Sequence, residues 1–123
     1  MRMIFKSKKE VGKFGENFVK DYLKNLGWKI LDTNFHYSRY AELDIVAKDG
    51  DTIVFVEVKT RSTKNFGHPF EAVNKTKLNN IFKAGLAWLN KTKEPYKNYR
   101  IDVVSVLGQE NPQVEHLKNV SLN

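Results

Sequence analysis

Two β-prone segments separated by a tight turn constrain the fold of this chain more than any other feature. Leu43–Ala47 and Thr52–Thr60 are rich in apolar and β-branched residues, and Lys-Asp-Gly-Asp lies between them at 48–51. An Asp-Gly pair flanked by such segments is a strong signal for a β-hairpin. In the second segment apolar residues point to both faces, which is typical of a central strand covered by helices on both sides. The hairpin therefore predicts an α/β sheet.

The spacing of apolar residues in the rest of the chain predicts two helices and further strands. Helices are indicated where apolar residues recur every three or four positions, and strands where they alternate. The predicted elements are helices over Val11–Leu26 and from Asn74 or Thr76 to Asn90, and strands over Trp28–Phe35, Leu43–Ala47, Thr52–Thr60 and Arg100–Leu107. Val114–Val120 is predicted to be a short edge strand or a tail. This order fits a small α/β sheet with helices packed on it.

Length and composition indicate a single basic domain. The chain has 123 residues, which we interpret as one domain over 1–123 with a flexible basic arm at 1–9. There is no cysteine, so disulfides and thiolate zinc sites are excluded. No apolar run approaches the ~20 residues of a membrane helix, and no signal-peptide block is present, so we expect a cytoplasmic protein without a membrane partner. The net charge of +7 favours polyanions, nucleic acid first.

Four charged residues of the predicted hairpin fall on one face when its turn has two residues: Glu42, Asp44, Glu57 and Lys59. Two registers are open. A turn centred on residues 49–50 places Glu42 opposite Glu57, and a turn centred on residues 50–51 places Asp44 opposite Glu57. A three-residue loop without a bulge would break this arrangement. Carboxylates directly opposite one another on a sheet repel, and a cation between them removes the repulsion.

This arrangement suggests a divalent metal site on the sheet. Oxygen ligands without cysteine favour Mg²⁺, or Mn²⁺ in its place, over zinc. Mg²⁺ commonly takes one or two carboxylates together with waters and phosphate oxygens, which would make Asp44 and Glu57 its ligands. Lys59 would orient the attacking water and neutralise charge that develops on the phosphoryl group. The same spacing also suits an ordinary exposed ion pair at a strand end, which contributes ~0–1 kcal/mol.

Three longer motifs resemble those of a known family. They are GKFGE at Gly12–Glu16, AELDI at Ala41–Ile45 and VFVEVKTR at Val54–Arg61. Together with Phe66-Gly67, Glu71–Val73, Lys77 and Arg100–Val104, they resemble the YraN-like uncharacterised family of the PD-(D/E)xK nuclease superfamily. The similarity extends over most of the chain. A single Glu-x-Lys triplet arises often by chance, whereas this ordered combination is specific.

The resemblance implies a restriction-endonuclease-like fold, with a mixed β-sheet flanked by α-helices, similar to that of archaeal Holliday junction resolvases. By position, Asp44, Glu57 and Lys59 match the catalytic residues of the superfamily. Glu16 matches a first-helix glutamate that assists metal binding in the resolvase-like branch. Glu42 matches the Glu of the family's usual Gly-Glu-Ile-Asp stretch, which implies a direct or indirect role at the metal.

Basic residues that follow the predicted site fit a nucleic-acid backbone. Arg61, Lys64, Lys75 and Lys77 are expected to contact phosphates without reading sequence. We therefore predict a Mg²⁺-dependent endonuclease acting on DNA, with branched or junction DNA as a candidate substrate. The alternative is a non-catalytic nucleic-acid-binding module built on the same fold. The sequence does not separate DNA from RNA, and a homodimer is compatible with the resemblance to resolvases.

Overall fold

The computed structural model of the protein describes residues 7–61, 73–108 and 110–121. Within these ranges the chain forms α1 (Lys8–Asn25), β1 (Lys29–Ser38), β2 (Ala41–Asp49), β3 (Thr52–Arg61), α2 (Lys75–Lys91), β4 (Asn98–Leu107) and β5 (Gln113–Leu117). The five strands form one sheet in the order β1-β2-β3-β4-β5. Neighbouring strands are antiparallel except β3 and β4, which are parallel and are connected through α2. The predicted α/β fold, consistent with a restriction-endonuclease-like core, is confirmed.

The helix α1 begins earlier than the apolar pattern predicts. The hydroxyl of Ser7 accepts a hydrogen bond of 3.2 Å from the backbone N–H of Glu10, which caps the helix before Lys8. The basic arm predicted over residues 1–9 is therefore too long, because Lys8 and Lys9 are helical; residues 1–6 lie outside the described ranges. No helix in the described part of the chain is long and apolar enough to cross a membrane.

The strand β3 is the centre of the fold, with one helix packed on each face of the sheet. Val54 and Val56 belong to the buried cluster on the α1 side, and Ile53 and Phe55 belong to the cluster on the α2 side. Each helix approaches β3 through a glycine. A Cβ at Gly15 would overlap the hydroxyl oxygen of Thr60 on β3, and one at Gly85 in α2 would lie 2.7 Å from the Phe55 ring. Both helices therefore lie unusually close to the strand that carries the predicted site.

The hairpin between β2 and β3 has the second of the two registers considered. Asp49 pairs with Thr52, so the turn is Gly50–Asp51, and Gly50 has the left-handed φ of 59° that such a turn requires. The pairing of β2 with β3 runs from this turn to Ile45 opposite Val56. By the same count Asp44 lies opposite Glu57, at the point where the pairing stops.

The alternation of side chains in β2 changes next to Asp44. Leu43 and Val46 both pack in the cluster on the α2 side, although they are three residues apart, while Ile45 packs on the α1 side. Ala41 also packs on the α2 side, so Glu42 between Ala41 and Leu43 points toward α1. The expectation that Glu42 shares the face of Glu57 is therefore wrong. It assumed an unbroken period of two along β2.

A buried polar network stabilises β4 and β5 on the α1 side of the sheet. Asp102 is fully buried and accepts hydrogen bonds from Arg100 Nε at 2.9 Å, His116 Nε2 at 2.8 Å and the backbone N–H of Asn119 at 2.9 Å. The other ring nitrogen of His116 lies 2.9 Å from the Tyr22 hydroxyl of α1. Burial alone would raise the pKa of Asp102, but these hydrogen bonds outweigh it and lower that pKa. Asp102 is a structural residue that joins β4, β5 and α1.

Candidate active site

Asp44 is held at the end of the β2–β3 pairing by a backbone donor of β3. Its Oδ2 accepts a hydrogen bond of 2.9 Å from the backbone N–H of Val58. In a regular antiparallel pair that N–H would bond to a carbonyl or face away from the partner strand. Here the side chain of Asp44 takes the place of a backbone acceptor. The carboxylate is thereby fixed beside Glu57, with further oxygen lone pairs available.

Glu57 is a buried carboxyl group next to Asp44. Its side chain is 5% exposed, and its Oε2 accepts no hydrogen bond within the described residues. Burial raises the pKa of Glu57 to about 8, and the neighbouring carboxylate of Asp44 acts in the same direction. The negative charge of a neighbouring carboxylate disfavours the ionisation of Glu57, and a cation between the two groups would remove that effect. Asp44 and Glu57 are therefore neighbouring carboxyl groups at this end of β3.

Two lysines surround this pair of carboxylates. The Nζ of Lys77, in the first turn of α2, lies 3.3 Å from Oε2 of Glu57, within ion-pair range but without forming a hydrogen bond. Lys59 is half-buried, two residues beyond Glu57 on β3, and therefore on the same face. The charges of Lys77 and Lys59 both oppose the rise in the pKa of Glu57. The structure thus brings together Asp44, Glu57 and Lys59 as predicted, and adds Lys77 directly to this group.

Glu16 reaches toward the same place from α1. Its Oε1 accepts a hydrogen bond of 2.8 Å from the side-chain amide of Asn34 on β1. Burial raises the pKa of Glu16, and the charges of Asp44 and Glu42 add to the rise against the effect of Asn34. These carboxylates are therefore close enough to interact. The adjacent Gly15, packed on Thr60, explains how α1 brings Glu16 near the sheet.

Glu42 is the most peripheral of the predicted acidic residues. Its Oε2 lies 3.2 Å from Nδ1 of His36, its partner on β1, and its side chain is 43% exposed. It lies on the α1 side, where its charge acts on Glu16 rather than directly beside Glu57. If Glu42 contributes to a metal site, it does so from the α1 face of the sheet, where Glu16 also lies.

The predicted nucleic-acid-binding residues are spread around this end of β3. Arg61 is the last residue of β3 and lies in register with Leu107 of β4. Lys75 is exposed and begins α2, whereas Lys77 points back to Glu57. Lys64 lies outside the described residues. Lys77 therefore differs from the other predicted phosphate-contacting residues, because its ammonium group forms an ion pair with Glu57 at the candidate site.

Sequence reasoning missed the role of Asn34. It has a left-handed φ of 53°, which asparagine adopts more readily than most residues, and its amide orients Glu16. An asparagine inside an otherwise β-prone segment was the available signal. The proximity of Lys77 to Glu57 had no local signal, because it depends on how α2 crosses the sheet.

The side chains of the candidate site fit an open site for a hard divalent cation, in which water and substrate supply part of the ligands. They do not fit a site whose ligands all come from the protein. Across residues 7–61, 73–108 and 110–121, no three carboxylate or imidazole groups are close enough to hold a metal by themselves. Asp44 and Glu57 nevertheless offer adjacent carboxylate oxygens, one of them buried without a hydrogen bond. Mg²⁺ commonly takes one or two carboxylates and completes its shell with waters and phosphate oxygens. Such a site would be completed only together with a substrate.

Comparison with known proteins agrees with the motifs in the chain. Residues 15–106 match the Uncharacterised protein family UPF0102. The chain belongs to this family. UPF0102 is the YraN family within the restriction-endonuclease-like superfamily, so the predicted family is confirmed. The matched segment contains Glu16 and both strands of the hairpin, and therefore the whole group of acidic residues described above.

Several relatives with the name UPF0102 protein are similar over nearly their whole length. The relative from Paenarthrobacter aurescens (strain TC1) is 42% identical over 120 residues, covering 96% of this chain and 98% of the relative. That from Syntrophomonas wolfei is 43% identical, covering 90% and 96%. That from Geobacter metallireducens is 45% identical, covering 90% and 91%. These UPF0102 relatives establish the family, and their names carry no statement of activity.

Proposed function

We propose that this UPF0102 protein is a Mg²⁺-dependent endonuclease that hydrolyses phosphodiester bonds in DNA, with branched or junction DNA as its candidate substrate. Mn²⁺ is expected to substitute, because it accepts the same oxygen ligands. A cytoplasmic location and, by analogy with resolvases, a homodimer belong to the same proposal. RNA is a second candidate substrate and forms one arm of the test below.

The pairing of Asp44 with Glu57 carries this proposal. A buried carboxylate oxygen without a hydrogen bond is rare and costs about 1–3 kcal/mol or more when charged. In the part of the chain that the structure describes, Oε2 of Glu57 is such an atom, with the Lys77 ammonium 3.3 Å away and Asp44 beside it. A divalent cation between the two carboxylates would satisfy Oε2 and remove their repulsion. An ordinary exposed ion pair would leave neither group buried.

Each residue of the group has a distinct role in the proposed reaction. Asp44 and Glu57 hold the metal, and the Val58 N–H fixes the orientation of Asp44. Bound Mg²⁺ would polarise the phosphodiester and lower the pKa of a water molecule. Lys59 orients that water and stabilises charge that develops on the phosphate. Glu16, oriented by Asn34, assists the metal from the α1 side.

The test is cleavage of a panel of linear, single-stranded, flapped and four-way DNAs, with matched RNAs, in Mg²⁺, Mn²⁺ or chelator. We expect metal-dependent cleavage by the wild type and a loss of about 100-fold or more in Asp44→Asn and in Lys59→Ala. Asp51→Asn is the matched control, since Asp51 lies in the exposed turn of the same hairpin, where it forms an ion pair of 3.7 Å with Lys97. Full metal-dependent cleavage in both folded variants would refute the proposal.

A second function is favoured by one observation. Lys77 already places a positive charge 3.3 Å from Glu57, as in a site that has replaced a metal by an ammonium group. This arrangement fits a nucleic-acid-binding module without catalysis. Such a module would bind DNA equally well in chelator, and calorimetry would detect no Mg²⁺ uptake that depends on Asp44. Mg²⁺ uptake that appears only in Lys77→Met would assign the site to this second function.

A further inference from the structure

A groove lined by positive and amide side chains runs along α1 beside the candidate site. Its volume is about 420 Å³, and it is lined by α1 residues from Lys9 to Lys20 and by Asn34 of β1. Three lysines line it, Lys9, Lys13 and Lys20, together with the amides of Asn17 and Asn34. Ammonium and amide groups are the side chains that commonly donate hydrogen bonds to phosphate oxygens. None of these lysines belongs to the basic set predicted after β3.

The glycine in this groove has no structural role within the described protein. Gly12 is exposed, lies inside α1, and a Cβ built there would meet no described atom within 4 Å. Glycine within a helix is less favourable than alanine, so its presence needs a reason. Gly15 has one, because Thr60 occupies the space of its Cβ. A glycine free of internal contacts suits a position where the backbone of a ligand approaches closely.

The groove is continuous with the candidate active site through Glu16. Glu16 lines the groove together with Asn34, which donates a hydrogen bond to it. Asp44 is close enough for its charge to act on Glu16. A polymer lying along the lysines would therefore pass beside Glu16, where the charge of Asp44 on β2 also acts.

We propose that this groove binds the sugar–phosphate backbone of the nucleic acid, with Lys9, Lys13 and Lys20 contacting successive phosphates and Gly12 allowing close approach. The inference rests on the proposed function, since it names the surface that would lead a substrate strand to the site. Lys9 and Lys20 are separated by about 16 Å along the axis, at about 1.5 Å per residue.

The test measures binding to a labelled DNA duplex by fluorescence anisotropy, in chelator and over a series of salt concentrations. We expect Lys9→Ala and Lys13→Ala each to weaken binding several-fold and to reduce the slope of log K against log salt by about 0.9. Gly12→Gln keeps the charge and favours the helix, so it should raise Tm while weakening binding. Lys24→Ala is the control: Lys24 is exposed on the same helix but does not line the groove.

The outcomes separate this inference from the proposed function. Unchanged affinity and salt slope in the doubly substituted Lys9→Ala, Lys13→Ala protein would overturn the inference, as would an equal loss in Lys24→Ala. If the wild type cleaves DNA and the groove variants bind it as well as the wild type does, the groove inference is refuted and the nuclease proposal is retained. Lost binding in those variants, with no cleavage by the wild type under any metal, would support the groove and refute the nuclease. The same variants on an RNA duplex identify which polymer the groove binds.

Discussion

The carboxylate of Asp44 on β2 accepts a 2.9 Å hydrogen bond from the backbone N–H of Val58 on β3. The bond lies where the pairing of these two strands stops, next to the change in side-chain alternation along β2. From that position the charge of Asp44 acts on Glu57 and also on Glu16 from α1. A single acidic residue thus connects the two sides of the candidate site.

Substitutions of Asp44 should therefore differ in stability according to whether they keep an acceptor for Val58. Asp44→Asn retains a carbonyl oxygen, whereas Asp44→Ala leaves a part-buried N–H without a partner, which costs about 1–3 kcal/mol. We expect the alanine variant to be less stable than the asparagine variant by about that amount in urea unfolding. Both should lose activity. Equal stability of the two would show that this hydrogen bond contributes little.

Without a cation, Glu57 should make the protein less stable as the pH rises. Its pKa is about 8 in the folded protein against an ordinary 4.5, so between these values the folded state retains a proton that the unfolded state has lost. Stability is then fully present below about pH 4.5 and falls by up to about 1.4 kcal/mol per pH unit until pH 8. Glu57→Gln should flatten this slope, measured by urea unfolding in chelator from pH 5 to pH 9.

The control for that series is Asp51→Asn, which removes a carboxylate from the exposed end of the same hairpin. It should keep the wild-type slope. A wild-type protein whose stability rises steadily from pH 5 to pH 8 in chelator would contradict the prediction, because the ionised form of Glu57 would then be favoured by folding.

Mg²⁺ should reverse this loss of stability. An ion that binds only the folded state at a hundredfold excess over its Kd stabilises it by about 2.7 kcal/mol. We expect Tm to rise with Mg²⁺ in the wild type and to rise much less in Asp44→Asn and Glu57→Gln. Differential scanning calorimetry with and without chelator measures the effect. NaCl at the same ionic strength checks for non-specific screening, and an equal rise with Mg²⁺ in all variants would refute a carboxylate-bound ion.

The sequence predicted the parts of the site that depend on a period of two. The turn signal at residues 48–51 and the apolar residues of β3 suffice to place Glu57 and Lys59 on one face. They left open whether Glu42 or Asp44 lies opposite Glu57, and the observed pairing of Asp49 with Thr52 selects Asp44. The break in alternation beside Asp44 could not be predicted, because Leu43, Ile45 and Val46 also fit an unbroken strand that is buried on both faces. Glu42 was assigned to the wrong face for this reason.

The sequence contains a signal for the true start of α1, which the prediction missed. Ser7 precedes Glu10 by three positions, which is the pattern of a capping box, but the apolar stripe begins only at Val11. The contact of Lys77 with Glu57 was not available, since residues 20 apart in sequence meet only through the packing of α2 on the sheet. Features that depend on residues close together in the sequence could therefore be predicted, whereas contacts between distant elements could not.

The two glycines of α1 should respond to alanine in opposite directions. Gly15→Ala places a Cβ where the Thr60 hydroxyl lies, so the helix must move away from β3, at a cost of about 1–3 kcal/mol. Gly12→Ala meets no described atom and should stabilise the helix by about 1 kcal/mol. Urea unfolding of both variants measures the difference. Because Glu16 follows Gly15, the first variant should also weaken Mg²⁺ binding, and equal stability of the two would contradict close packing on Thr60.

Asp102 should make folding sensitive to acid. Its pKa is lowered in the folded protein below its usual 3.8, since the hydrogen bonds from His116 and Arg100 outweigh burial. Its contribution to stability is therefore present above about pH 4 and is lost as the pH falls through the lowered pKa. Asp102→Asn leaves Arg100 and His116 with an incomplete partner, so we expect a loss of about 3–5 kcal/mol at pH 7 and a smaller loss at pH 3. Urea unfolding at both pH values measures this, with Asp51→Asn as the exposed control. A loss as large at pH 3 as at pH 7 would show that Asp102 contributes through packing rather than through its charge.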